Sequence, residues 1–72
     1  MAQATLVKRG AYHDSVALLM LARALRARPG VREAAVVMGT PANRDLLAKA
    51  GLLTEEAGTA TPSDLVVVVE AE

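Results

Sequence analysis

Cysteine, tryptophan, phenylalanine and isoleucine are all absent from this 72-residue chain, and Tyr12 is its one aromatic residue. Without cysteine no disulfide can staple so small a domain, and the redox compartment cannot be read from thiols. His13 is the one histidine, so a metal site would have to be built almost wholly from carboxylates. Nucleic-acid binders interleave basic residues with aromatics, which a single tyrosine cannot supply. Long apolar runs are missing as well. The longest, Val16 to Ala22, falls far short of the roughly 20 residues that span a bilayer. The first residues lack the charged, apolar and small-residue order of a signal peptide, so a cytoplasmic location is the default expectation.

What the chain does have is small apolar side chains. Hydrophobic residues make up 53% of it, nearly all alanine, leucine and valine. Large rings usually dominate burial in a core; here small groups must pack closely instead. A domain of this size buries only about 60% of the surface its unfolded chain exposes. Such a core is expected to gain stability from a neighbour, either another copy or another domain.

The net charge is zero but unevenly spread. Residues 1–32 carry six bases against Asp14 alone, and residues 33–72 carry seven acids against Arg44 and Lys49. The halves are therefore +5 and −5. Such asymmetry suits a nucleic-acid face, two halves that meet each other, or a head-to-tail contact between copies.

Along the chain, Ala4 to Arg9 reads as a strand with Thr5, Val7 and Arg9 on one face and Leu6 and Lys8 on the other. Asp14 is an N-cap for a helix over Ser15 to Arg28, closed by Pro29-Gly30. On a helical wheel Ala17, Leu18, Met20, Leu21, Ala24 and Leu25 form an apolar face, opposite Ser15, Ala22, Arg23 and Arg26. Leu19 falls among the arginines, which makes Leu19, Arg23 and Arg26 a candidate partner contact. Val31 to Met38 is an apolar strand of the kind covered on both faces. Pro41 to Ala50 reads as a second helix burying Leu46, Leu47 and Ala50, stopped by Gly51 in the C′ position. Leu52 and Leu53 fold back on that helix, and Thr54 to Ser63 reads as a loop. Leu65 to Val69, with valine at four successive positions, is the strongest strand signal.

Alternation of strand and helix predicts an α/β fold, a small two-layer sandwich with a three-stranded, mainly parallel sheet. The alternative is an incomplete ferredoxin-like arrangement in which the third strand runs antiparallel between the first two. The segment from Leu52 to Ser63 is long enough for that reversal.

Few constellations carry chemistry. His13-Asp14-Ser15 contains the residue types of a nucleophilic triad, but consecutive residues point apart and a triad must converge. Glu55-Glu56 and Glu70-Ala71-Glu72 read as solvated charge. The richest stretch is Met38-Gly39-Thr40-Pro41-Ala42-Asn43, a strand that turns on glycine into a helix. Thr40 can cap that helix and Pro41 suits its first position. If the first two strands are parallel, Lys8 and Arg9 lie on the same sheet edge as this turn. An anion could then meet Lys8 or Arg9, the Gly39-Thr40 turn, and the free N–H groups of Ala42 and Asn43. The same residues also make a capped turn with no ligand.

Lys8-Arg9-Gly10, Asp14-Ser15-Val16, Met38-Gly39-Thr40-Pro41-Ala42-Asn43 and Ala60-Thr61-Pro62-Ser63-Asp64 together resemble the opening segment of the FdrA family. These are acyl-CoA-synthetase-like proteins similar to the succinyl-CoA synthetase α subunit. The resemblance covers almost the whole chain. It implies one accessory domain over residues 1–72, non-catalytic by itself, whose parent would be an acyl-CoA ligase-like or carbamoyltransferase subunit. It also implies downstream CoA-ligase-like domains as partners, with a homo-oligomer as the other expectation. No Gly-x-Gly-x-x-Gly occurs, and His13 does not stand where a ligase phosphohistidine would, so no catalytic residue, cofactor or metal carries over. The alternative function is a small-molecule or phosphate-binding module built on the Gly39–Asn43 turn.

Overall fold

A computed structural model describes residues 2–72. Its elements are β1 (Ala2–Lys8), α1 (Ser15–Arg26), β2 (Val31–Met38), α2 (Pro41–Lys49), a 3-10 turn (Ala57–Thr59) and β3 (Leu65–Ala71). Local chemistry sets the helix ends. The Asp14 carboxylate accepts the Ala17 N–H at 2.8 Å and starts α1. Thr40 Oγ1 accepts the Asn43 N–H at 3.2 Å and starts α2, with Pro41 in its first position. Gly51, at φ +75°, turns the chain out of α2, a conformation open to glycine at no steric cost. The first helix ends at Arg26, two residues short of the sequence expectation, and β3 continues to Ala71.

The mainly parallel sheet is not what forms. The strand order is β1-β3-β2, and β3 runs antiparallel to both neighbours. The reason lies in the connection between β2 and β3. Helix α2 carries the chain away from the end of β2, and residues 51–63 bring it back to that same end. The Gly39 N–H there donates to the Asp64 carbonyl at 2.9 Å. A strand that starts where its neighbour stopped must run the other way. Strand β3 thus lies between the other two, the placement weighed above as the alternative to a parallel sheet.

The two-layer expectation also fails, because the helices pack on opposite faces. On one face Leu47 of α2 meets Val66 and Val68, joined by Leu52, Ala57 and Ala60 from the return segment. On the other, Ala22 of α1 packs with Val36, Met38 and Leu65, flanked by Leu18 and Leu25. Strand alternation assigns neighbouring residues of β2 and β3 to these two cores. Burial of the valine ribbon is therefore uneven: Val66 and Val68 are fully buried, whereas Val67 and Val69 are only partly buried.

Three core expectations need correction. Ala22, placed outward on the wheel, is the one fully buried residue of α1, while Met20 is 66% exposed. Leu46 is 62% exposed and Ala50 is exposed; Leu47 and Leu52 do the packing on that side. The Thr54–Ser63 loop is in part core, since Ala57 and Ala60 are buried under β1 and β3. Among the described residues, no helix is long and apolar enough to cross a membrane.

Candidate functional site

The ends of β1 and β2 flank the start of β3, for Lys8 and Met38 both pair with Leu65. Sequence reasoning expected an outside anion here. The chain places one of its own instead. Asp64 is 4% exposed and its carboxylate accepts three hydrogen bonds. They come from the Thr61 N–H at 2.9 Å, the Gly10 N–H at 2.9 Å and Arg9 Nη1 at 2.8 Å. Arg9 is further held by the Thr59 carbonyl at 3.1 Å and the Thr59 hydroxyl at 3.0 Å. These donors favour the charged form. The Thr61 and Gly10 N–H groups, followed by Arg9, hold the Asp64 carboxyl well below the usual carboxylate range. The only outward signal of this role was an aspartate placed between Thr61-Pro62-Ser63 and the valine run.

The Gly39–Asn43 turn is closed as well. Gly39 is buried, and a Cβ built on it would lie 2.6 Å from the Ala60 Cβ and 2.6 Å from the Thr61 carbonyl oxygen. The Thr40 hydroxyl is engaged as a cap, and the Asn43 side-chain amide donates to the Met38 carbonyl at 2.9 Å. Ala42 is exposed and Lys8 points to solvent at the end of β1. Of the residues expected to cradle a phosphate or small molecule, Arg9, Gly39, Thr40 and Asn43 instead hold strand ends and the start of α2 together, which does not support such a module.

The suggested partner contact divides. Leu19 and Arg23 are exposed. Arg26 is a brace: Nε donates to Glu33 at 3.0 Å and Nη2 to the Ala34 carbonyl at 2.9 Å. The Ala34 N–H and Arg26 both bond the Glu33 carboxylate and lower its pKa, the backbone bond most. A hollow of about 310 Å³ lies beside this brace, floored by Ala35, Val37, Leu46, Leu47 and Leu52. Its polar lip, Arg26, Glu33 and Asn43, is already spent on internal bonds.

A family model described as "AllF, heavy metal-associated domain" matches residues 1–72. The chain belongs to that family. It is similar to the protein named "Uncharacterized protein YahF" of Escherichia coli (strain K12), at 35% identity over 66 residues. That alignment covers 92% of the chain and 13% of YahF, so the chain spans about an eighth of its curated relative. No solved structure matches. Neither finding names FdrA or an acyl-CoA-synthetase-like protein. The AllF assignment replaces that resemblance and the accessory role drawn from it.

The family description implies a heavy metal, and the donor set does not fit one. Soft metals are held by thiolates and thioethers, and zinc by Cys, His and carboxylates; the chain has no cysteine and one histidine, and Met20 is exposed on α1 while Met38 is buried in the core. Among the described residues no three His, Cys, Asp or Glu side chains converge. Four of the eight carboxylates are engaged elsewhere: Asp64 with Arg9, Glu33 with Arg26, Asp45 with Lys49, and Asp14 at the start of α1.

Proposed function

We propose that this chain serves an AllF-type protein as a non-catalytic domain whose role does not run through a metal ion of its own. The observation that carries the reading is the donor set just described: a heavy metal-associated domain by family, with no converging ligands among its described residues. Catalysis finds no better footing. A nucleophile needs a base within hydrogen-bond reach, and His13 sits exposed ahead of the α1 cap. The Thr5 and Thr54 hydroxyls bond one another at 2.8 Å, and Thr54 Oγ1 also accepts the Ala57 N–H at 3.1 Å. A cytoplasmic setting belongs to the same proposal, and fractionation of cells expressing the tagged chain tests it.

The decisive experiment is metal retention. The chain is loaded separately with Zn(II) and with Cu(I) under reducing conditions, passed through a desalting column and assayed for metal. The expected result is a substoichiometric residue and an unchanged melting temperature. One tightly held ion per chain, with the stabilisation that ligand binding to the native state must bring, would overturn the proposal.

A further inference from the structure

The two edges of the sheet are finished differently. Along β2 three outward backbone groups are bonded to side chains. The Ala34 carbonyl accepts Arg26, the Ala34 N–H donates to Glu33, and the Met38 carbonyl accepts Asn43. Helix α1 also lies chiefly over β2. Nothing comparable covers β1 on that face. Ala2, Ala4 and Leu6 share the face by strand alternation, register with Ala71, Val69 and Val67, and are exposed, Leu6 by 59%. The uncovered half is two strands wide, about 10 Å at the usual strand spacing. That is the width of one helix.

Helix α1 has the opposite problem. Val16 and Met20 are 65% and 66% exposed, and Leu21 is 42% exposed. A helix that is apolar nearly all round belongs in an interior. Its orientation is set by two anchors: Ala22 is buried against the sheet, and Arg26 reaches the outer edge of β2. At 100° per residue, Leu21, Ala17 and Ala24 then lie on the flank that overlooks the vacant half of the sheet. Val16 and Met20 lie on the side away from the sheet.

We infer that α1 of a second copy of this chain fills the vacancy. Each helix lies on the other copy's β1 and β3, about a two-fold axis running along the strands. The two sheets then enclose one shared layer made of the two helices side by side. Met20 and Val16 of one copy rest on Leu6, Val67 and Val69 of the other, and the two helices meet through Ala17, Leu21 and Ala24. Alanine at that seam permits the 8–10 Å approach of packed helices. One operation satisfies both the surplus helix face and the empty sheet face, as a self-complementary two-fold interface requires. The four large side chains leave on the order of 400 Å² of apolar surface in water, and the adjoining alanines and valines bring the patch toward the roughly 800 Å² per partner of a stable interface. A single helix from elsewhere would cover Leu6 but leave Met20 and Val16 in water. Arg23, three residues past Met20, borders that helix face, and Lys8 ends the β1 face beyond Leu6, so charge stands at the rim of the contact. The inference concerns shape alone and stands apart from the metal question, whose test reads metal content and not mass.

Light scattering and sedimentation equilibrium of the chain should return twice its 7.5 kDa mass at micromolar concentration. Leu6→Glu and Met20→Glu should weaken the dimer more than tenfold, with circular dichroism unchanged, and Leu19→Glu should not. Because a charged variant can unfold, a second arm uses the cysteine-free background. Ala17→Cys and Ala24→Cys should be joined across the axis by a short bis-maleimide, and Leu19→Cys should not. A monomer persisting at about 100 µM, where mass action favours association, would overturn the inference. So would cross-linking through position 19 in preference to 17 and 24, which would place the partner on the other flank.

Discussion

Replacing Gly39 with alanine tests whether the turn after β2 is closed, as the structure has it, or open to a ligand. The backbone at Gly39 has no positive φ, so an alanine there meets no conformational penalty of its own. The obstacle is space. Its Cβ would stand 2.6 Å from the Ala60 Cβ, 2.6 Å from the Thr61 carbonyl oxygen and 3.2 Å from the Ala60 carbonyl carbon. Carbon contacts settle at about 3.5–4.0 Å, so the return segment must move by about 1 Å. Ala60 has no rotamer to change and the Thr61 oxygen belongs to the backbone, so neither can swing aside. Moving Thr61 also pulls its N–H from Asp64. Overpacking of this kind costs about 1–3 kcal/mol, and immobile neighbours place Gly39→Ala toward the upper end. For a domain of this length about 2–3 kcal/mol lowers Tm by roughly 10–20 °C. Thermal unfolding followed by circular dichroism, at fixed protein concentration, measures it. Gly58→Ala is the control, because a Cβ there meets nothing within 4 Å. A double variant with Ala60→Gly should recover part of the loss but not all, since the Thr61 oxygen stays in place. If Gly39→Ala melts within 2 °C of the parent, the closed turn is wrong and a ligand-accessible turn returns.

Three further outcomes follow from the same packing. Leu47→Ala should cost about 2–5 kcal/mol as a buried large-to-small change, whereas Leu46→Ala, at an exposed neighbouring position, should stay within about 0.5 kcal/mol; equal effects in urea unfolding would contradict the assignment of α2's buried face. Thr40→Ala removes the cap on Asn43 and should destabilise by about 1 kcal/mol, with Thr40→Ser retaining most of it; chemical denaturation of the three proteins decides. Asp64 and Glu33 both have folded pKa values below their ordinary ones, so their stabilisation is complete above the unfolded carboxylate range near pH 4 and is lost as pH falls through the folded values. Stability should therefore be insensitive to these groups between pH 5 and 8 and fall in acid. Asp64→Asn should lower stability at pH 7 and flatten that acid limb, and parallel limbs for the two proteins would refute the role given to Asp64.

Sequence alone was enough for much that is local, though β1 spans Ala2–Lys8 rather than Ala4 to Arg9 and α1 stops at Arg26. Both N-caps, the proline at the start of α2, the glycine after it, the bounds of β2 and the five-element order follow from side chains acting on backbone within a few residues. The alternation of β1 was legible for the same reason, since strand geometry sends successive side chains to opposite faces. What tertiary structure decided was direction and partnership. Whether β3 ran parallel depended on where residues 51–63 delivered the chain, and no local pattern encodes the path of a return segment. The wheel of α1 showed apolar residues over most of its circumference, so it placed Ala22 outward when that alanine, one of three in the helix, is the one that faces the sheet. Arg9 read as a free cation because its counter-charge, Asp64, lies 55 residues away. An ion pair closed across that span exists only once β1 and β3 have paired. The scarcity of metal ligands, by contrast, is legible in the composition: a chain with no cysteine and one histidine brings only methionine thioethers as further soft donors, whatever its fold.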